Sequence, residues 1–186
     1  MKEKQWFGII GTNGSGKSTV CSLFAAAGFE VVSLSRVVRD YVESLGLPQT
    51  REHLIKHANL LKDQHGITYF ADVCLDRIKE KAYDRVVFDS IRHPLEVSLL
   101  KKQGVKMIGV DVAVEIRYQR IQDRLSETDH VDFDTFVALD KLERSGESSG
   151  QSLDKAFGMC DMIIDNNKGE AALKLEIEDI IYQGVD

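Results

Sequence analysis

The chain has 186 residues, of which 43% are hydrophobic and 29% charged, so it is long enough to bury a core and has the composition of an ordinary globular domain. Its formal net charge of −6 argues against a general nucleic-acid surface, because such a surface needs an excess of Lys and Arg to neutralise phosphates. No apolar run approaches the roughly 18 residues that span a bilayer, and the N-terminal MKEKQ has no apolar signal core. We therefore expect a cytoplasmic protein without nucleic-acid or membrane partners.

No Pro-, Gly- or Ser-rich linker divides the chain, so we predict a single domain over residues 1–186. Cys21, Cys74 and Cys160 lie far apart in helix-like or apolar settings and form no C-x-x-C pair. We interpret them as reduced core residues, with no metal or redox role.

A phosphate-binding motif follows the first predicted strand, residues 6–10. Residues 11–18 read GTNGSGKS and satisfy the pattern G-x-x-x-x-G-K-[ST]. The glycines let backbone N–H groups converge on a phosphate, Lys17 is expected to reach the β- and γ-phosphates, and the Ser18 hydroxyl is expected to ligate Mg²⁺. The alternative is a glycine-rich turn without a ligand. We predict a nucleoside triphosphate site formed by Gly11, Thr12, Asn13, Gly14, Ser15, Gly16, Lys17, Ser18 and Thr19.

Downstream of this loop, short apolar runs alternate with segments of helical periodicity. Strands are predicted over residues 30–34, 85–89, 106–112 and 162–165. Helices are predicted over 18–27, from a cap at Ser33 or Ser35 to residue 45, over 51–82 as two helices broken near Gly66, and over 94–104, 115–125, 132–142 and 170–182. This alternation predicts an α/β fold: a three-layer P-loop NTPase fold whose five-stranded parallel sheet has helices on both faces.

Two segments of this pattern are candidate substrate-binding parts. The helical insert over residues 35–82, between the second and third strands, is expected to bend over the phosphate loop and bind an acceptor. Residues 145–152 are rich in Gly, Ser and Glu and form the most loop-like stretch of the chain. We place them in a small lid over residues 125–152 that closes on ATP, and Arg144 is a candidate to act from that lid.

Asp89 ends the apolar run of residues 85–89, which has the composition of a buried parallel strand. In phosphate loops of this class, Mg²⁺ is held by the Ser or Thr hydroxyl and by an acidic residue from a neighbouring strand. We therefore predict a Mg²⁺ site formed by Ser18 and Asp89. The alternative is that Asp89 caps the next helix.

Several landmarks in order resemble those of the P-loop nucleoside monophosphate kinases, adenylate kinase above all. They are the phosphate loop and the segments LSRVVR (34–39), FDSIR (88–92) and YQRIQDR (118–124). The segment CDMIIDNN (160–167) is more similar to dephospho-coenzyme A kinases, a sister family on the same fold. The resemblance covers nearly the whole length, and it rests on the order and spacing of these segments.

This resemblance implies roles for specific residues. It assigns Arg39 and Arg92 to the acceptor phosphate, and Arg120 and Arg124 to the triphosphate and the transferring phosphoryl group. Arg120 and Arg124 are four residues apart and share one helix face. Their guanidinium groups repel each other unless a multiply charged anion lies between them. The alternative for each arginine is a solvated helix face or a surface ion pair with Asp123 or Glu127. Asn166 and Asn167 fall where the chain of the sister family passes the adenine, so Asn167 is a candidate ATP-binding residue.

The sequence also departs from both families. Dephospho-coenzyme A kinases carry an Asp-x-Asp near residues 33–35 that is absent here, so the usual base for a ribose hydroxyl is missing. A monophosphate is already an anion and needs no such base. The predicted function is therefore transfer of the γ-phosphoryl group of ATP, with Mg²⁺, to a nucleoside or deoxynucleoside monophosphate. The alternatives are a dephospho-coenzyme A kinase and a P-loop ATP-binding switch or ATPase without a small-molecule acceptor.

Overall fold

The central element is a five-stranded parallel sheet with the strand order β2-β3-β1-β4-β5. The computed structural model describes residues 4–123, 131–145 and 152–183. The strands are β1 Gln5–Ile10, β2 Glu30–Ser33, β3 Arg85–Asp89, β4 Lys106–Asp111 and β5 Met162–Asp165. The helices are α1 Lys17–Ala26, α2 Leu34–Ser44, α3 Arg51–His65, α4 Tyr69–Lys81, α5 Pro94–Lys102, α6 Val114–Asp123, α7 Phe133–Ser145, α8 Leu153–Phe157 and α9 Glu170–Gln183.

Helices cover both faces of the sheet, so its interior strands are apolar on both sides. Trp6 and Ile10 of β1 pack in the cluster that contains buried residues of α2, α4, α5 and α8, whereas Phe7 and Ile9 pack against α1 and α9. Phe7 also contacts Phe24, with ring centroids 5.1 Å apart. The predicted three-layer P-loop NTPase fold is confirmed.

Most predicted element boundaries lie within one to three residues of the observed ones. α3 ends at His65 and is followed by Gly66, whose φ of 97° lies in the region that favours glycine. α4 begins shortly after this glycine, as the predicted break required. Thr50 caps α3 through its side chain, which accepts from the His53 N–H at 3.2 Å. Asp132 accepts from the Thr135 N–H at 2.8 Å just before α7.

Two features differ from the sequence-based expectation. The short helix α8 was not predicted, because it follows a Gly- and Ser-rich stretch and is held by burial of Leu153 and Ala156 against the sheet. Ser33 occupies the N-cap position of α2, but its hydroxyl makes no capping bond and is directed to other hydroxyls. No helix within the described ranges is long and apolar enough to cross a membrane.

Candidate active site

The phosphate loop connects β1 to α1 at the carboxyl edge of the sheet, and two of its glycines are required by geometry. Gly14 and Gly16 have φ values of 78° and 96°. A Cβ atom on Gly14 would lie 2.8 Å from the Arg117 carbonyl oxygen, and one on Gly16 would collide with Nδ2 of Asn166. The N-terminus of α1 has no side-chain cap, so its first backbone N–H groups are available to an anion.

Lys17 lies at the centre of a group of charged side chains. Its ammonium donates to the Thr12 carbonyl at 2.7 Å, which holds the side chain along the loop. Burial, followed by the charge of Arg92, lowers the pKa of Lys17 to about 8, while Asp89 and Glu143 act in the opposite direction. We call Lys17, Asp89, Arg92 and Glu143 the central charge cluster. The sequence predicted three of its members, and Glu143 was missed.

Asp89 ends β3 within this cluster, and its Oδ2 accepts from the Ser90 hydroxyl at 3.1 Å. Its charge acts on Lys17 and on Cys21, which flank Ser18 on α1. Ser18 is exposed. A hydroxyl and a carboxylate on adjacent elements are a donor set that suits Mg²⁺, which binds few protein oxygens and keeps several waters. The residues present therefore fit the predicted metal.

Three serine hydroxyls meet at the carboxyl ends of β2 and β3. The Oγ atoms of Ser33, Ser35 and Ser90 lie 3.0 to 3.3 Å from one another. Ser90 adopts a φ of 66°, an unfavourable conformation for a residue with a Cβ atom. This serine cluster borders Asp89, whose Oδ2 accepts from the Ser90 hydroxyl.

Arg92 follows the serine cluster in the loop between β3 and α5, and it forms an ion pair with Glu143 of α7. The buried carboxylate of Glu96 fixes this loop, because it accepts from the backbone N–H groups of Arg92 and His93 at 3.0 Å. Arg39 is placed differently from Arg92: it lies on the exposed side of α2 and donates to Gln49 Oε1 at 3.1 Å.

On the other side of the phosphate loop is a cavity of about 400 Å³. It is lined by Gly16, Thr19, Arg120, Asp123, Asn166, Gly169, Glu170 and Leu173. Arg120 Nη2 donates to the Asn166 carbonyl at 2.9 Å, and Asn166 Nδ2 donates to the Ser15 carbonyl at 2.8 Å. Within the described part of the chain, Ser15 Oγ, Arg120 Nη1 and Asn166 Oδ1 are buried without a hydrogen-bond partner.

Asn166, and not Asn167, lines this cavity. Asn167 is exposed, and its Oδ1 accepts from the Ala113 N–H at 2.9 Å. Arg120 lines the cavity together with Gly16 and Thr19, and its predicted role in ATP binding stays a prediction. Arg124 lies outside the described residues, as does much of the predicted lid, and Arg144 of α7 donates to Asp154 at 2.7 Å.

Arg117 and Asp140 form a buried ion pair that sequence reasoning did not assign to the site. The guanidinium is 2% exposed, and it donates to both Asp140 oxygens, at 2.6 and 2.8 Å. Its Nη1 also donates to the Asn13 carbonyl in the phosphate loop at 3.3 Å. The sequence carried no local signal for this pair, because Arg117 and Asp140 are 23 residues apart and lie on different helices.

Comparisons with known proteins place this site in a family. A family model described as an AAA domain matches residues 8–145. A UPF0200 protein of Methanoregula boonei is 28% identical over 177 residues, which are 94% of this chain and 94% of that protein. A UPF0200 protein of Methanococcus maripaludis (strain C7) is 34% identical over 139 residues, which are 73% of this chain and 76% of that protein.

Two solved structures share the fold. TT1252 from Thermus thermophilus aligns with a TM-score of 0.63 at 18% identity, over 98% of each chain. Shikimate kinase from Acinetobacter baumannii, in complex with shikimate, aligns with a TM-score of 0.58 at 16% identity, over 98% of this chain and 95% of that chain. The chain belongs to the AAA-domain family, among the UPF0200 proteins, and has the fold of the P-loop kinase superfamily.

Proposed function

We propose that the protein is a nucleotide kinase that transfers the γ-phosphoryl group of ATP to a nucleoside or deoxynucleoside monophosphate. The observation that carries this proposal is the central charge cluster, in which Lys17 of the phosphate loop and Arg92 of the β3–α5 loop contribute two cations to one site. Two cations on different elements can bind one anion between them. A phosphoryl group in transfer between donor and acceptor is such an anion, and its transfer requires mainly positioning and charge neutralisation.

The donor side consists of the phosphate loop and the adjoining cavity. In this proposal the triphosphate is bound by backbone N–H groups of residues 11–19 and by the Lys17 ammonium. The base of the nucleotide is proposed to enter the adjoining cavity, which is lined by Arg120 and Asn166 among others. The unpartnered Arg120 Nη1 is a donor that a bound nucleotide can satisfy. Arg124 remains assigned to the transferring phosphoryl group by resemblance.

Ser18 and Asp89 would hold Mg²⁺. When bound, the ion neutralises charge on the phosphates of the donor. The Ser90 hydroxyl donates to Asp89 Oδ2 and orients that carboxylate.

The acceptor side favours a monophosphate over a neutral alcohol. Ser33 ends β2 and Ser35 lies at the start of α2, and their hydroxyl groups contact each other. A serine hydroxyl is too weakly basic to remove a proton from a substrate hydroxyl. Arg92 supplies a cation for a phosphate at the same edge, and Arg39 on α2 is the proposed second one. An ionised phosphate oxygen is already a nucleophile, so this arrangement needs no general base.

The test is a coupled assay of ATP consumption by the full chain with Mg²⁺, across the nucleoside and deoxynucleoside monophosphates and dephospho-coenzyme A. We expect turnover to depend on one class of monophosphate. Arg92→Ala is expected to raise the KM for that acceptor and leave the KM for ATP unchanged, because a ground-state contact to one substrate is lost. Arg77→Ala, which removes an exposed arginine paired with Asp40, is the matched control.

Three results contradict the proposal. Turnover with dephospho-coenzyme A alone identifies the sister activity. ATP hydrolysis that no small acceptor accelerates identifies an ATPase or switch. Equal effects of Arg92→Ala on both substrates remove Arg92 from the acceptor site.

A further inference from the structure

Glu143 reaches the central charge cluster from a different part of the chain than the other members. It lies on α7, 51 residues beyond Arg92, and its carboxylate Oε1 pairs with Arg92 Nη1. The side chains of Arg92 and Glu143 are 45% and 26% exposed, so the pair borders solvent and is accessible to a ligand.

Glu143 belongs to the central charge cluster through its ion pair with Arg92. The cluster holds two cations, Lys17 and Arg92, and two carboxylates, Asp89 and Glu143. Because Asp89 is assigned to the metal, Glu143 is the carboxylate that is paired with the cation proposed to bind the acceptor phosphate.

α7 holds this carboxylate in place. Three residues before Glu143, Asp140 makes the buried bidentate pair with Arg117, which in turn donates to the Asn13 carbonyl of the phosphate loop. Directly after Glu143, Arg144 pairs with Asp154 of α8 at 2.7 Å. The position of Glu143 is therefore fixed by contacts on both sides of it along the helix.

We propose that Glu143 is a specificity-determining residue that occupies the position of the acceptor phosphate on Arg92, so that only an anionic acceptor displaces it. The identity of that acceptor rests on the proposed function. A phosphate dianion is bound bidentately by a guanidinium, as a carboxylate can be, but it carries more charge, so it competes successfully. A neutral alcohol or water offers no charge, and Arg92 stays paired with Glu143.

The size of the effect follows from exposure. Exposed ion pairs of this kind contribute little to stability. A ligand that must break such a pair in order to bind therefore loses only roughly twofold to fivefold in affinity. Glu143→Gln keeps the shape of the side chain and removes its charge. The variant is expected to bind phosphate about twofold to fivefold more tightly than the unmodified protein.

The experiment is calorimetric titration of the full chain with inorganic phosphate, after the phosphate loop has been saturated with Mg²⁺ and a non-hydrolysable ATP analogue. Glu143→Gln is compared with Asp134→Asn, which removes one exposed negative charge from the same helix. We expect tighter binding in Glu143→Gln alone. In an Arg92→Ala background, Glu143→Gln is expected to have no further effect, since the carboxylate acts through Arg92.

The proposal is overturned if Glu143→Gln binds phosphate no more tightly than Asp134→Asn, or if its effect persists without Arg92. Steady-state kinetics give a second readout: in Glu143→Gln the KM for the monophosphate falls and the KM for ATP does not. Because phosphate binding requires no turnover, tighter binding in a protein that phosphorylates no monophosphate refutes the proposed function and leaves the competition at Arg92 standing.

Discussion

Lys17 titrates in an accessible pH range because burial and the Arg92 guanidinium disfavour its charged form and bring its pKa to about 8. Triphosphate binding needs the ammonium. We therefore expect the Kd for ATP to rise as the pH increases above 8, by about tenfold per pH unit where the neutral amine dominates. Titration with ATP between pH 7 and about 9.5 measures this dependence.

Lys17→Ala is the control for this pH profile. It is expected to bind ATP weakly at every pH and to lose about 10²-fold or more in turnover while remaining folded by circular dichroism. A flat profile in the unmodified protein would contradict the contact between Lys17 and the phosphates.

The stability of the ligand-free protein depends on pH in the opposite sense to ATP binding. The pKa of Lys17 is lower in the folded chain than in the unfolded chain, so unfolding takes up a proton in the range between the two values. The free energy of unfolding is therefore expected to rise as the pH increases from 8 to 10.5.

Ser90 and Ala82 are the non-glycine residues with positive φ among those the structure describes, at 66° and 51°. Glycine adopts this conformation without the steric cost of a Cβ atom. Ala82→Gly, at the exposed end of α4, is expected to raise the free energy of unfolding by about 0.5 to 1 kcal/mol and to leave activity unchanged. Chemical denaturation measures the change.

At Ser90 the informative comparison is between two variants that lose the same hydroxyl. Ser90→Gly is expected to be more stable than Ser90→Ala by about 1 kcal/mol, because only alanine retains the strain. Equal stability of the two variants would show that the backbone relaxes to another conformation.

Individual residues differed in how far the sequence revealed them. The phosphate loop was predictable because its motif fixes residue type and spacing together, whereas Arg92 was named only through the resemblance of residues 88–92 to nucleoside monophosphate kinases. Glu143 was not, because its role depends on a partner 51 residues away and on the direction of α7. Asn166 and Asn167 are adjacent in sequence, and only the turn after β5 determines that Asn166 faces the cavity.

α7 is positioned by a buried charge pair, so it is sensitive to the loss of either partner. Asp140→Ala leaves the Arg117 guanidinium, 2% exposed, without its carboxylate. Removing one partner of such a pair destabilises by roughly 3 to 5 kcal/mol, and we expect the free energy of unfolding to fall by that amount. Chemical denaturation provides the measurement.

Arg144→Ala is the matched control on the same helix, because its pair with Asp154 is solvent-exposed and is expected to contribute no more than about 1 kcal/mol. A double replacement of Arg117 by Met and Asp140 by Leu is expected to be less destabilising than Asp140→Ala alone, since no charge remains buried. A small effect of Asp140→Ala would mean that water reaches the guanidinium.

At the level of elements, strands were easier to predict than short helices. β3 and β5 coincide with the predicted spans because each is a short apolar run that ends in a carboxylate. α8 has five residues, too few for a helical period to emerge from the sequence, and it exists because the sheet buries Leu153 and Ala156.

The whole molecule carries a formal net charge of −6, so its phosphate-binding cations act within one site and not across a surface. We expect the affinity for a short DNA duplex, at about 0.15 M salt, to be weaker than a Kd of about 10⁻⁴ M. Fluorescence anisotropy with a labelled duplex measures it. Tighter, salt-dependent binding would indicate a basic surface that the net charge conceals.

The strand order of the sheet separates the two sides of the proposed active site. β2 and β3 carry the serine cluster, Asp89 and the loop of Arg92 on one side of β1, whereas β4 and β5 lead to Arg120 and Asn166 on the other. The alternation of strands and helices predicted this architecture, because parallel strands require crossover helices. The meeting of α7 with Arg92 was not predictable, since it depends on how α7 packs against α6 and α8.

The central position of β1 also governs how a newly made chain acquires its structure. Gln5 of β1 faces Arg85 and Phe7 faces Lys106, so β1 pairs only with strands that are synthesised much later. Until then Trp6, Phe7, Ile9 and Ile10 form an apolar strand with two unpaired edges, the kind of segment that aggregates or is held by chaperones. A nascent chain that stalls before β4 is therefore the most vulnerable form of this protein during its biosynthesis.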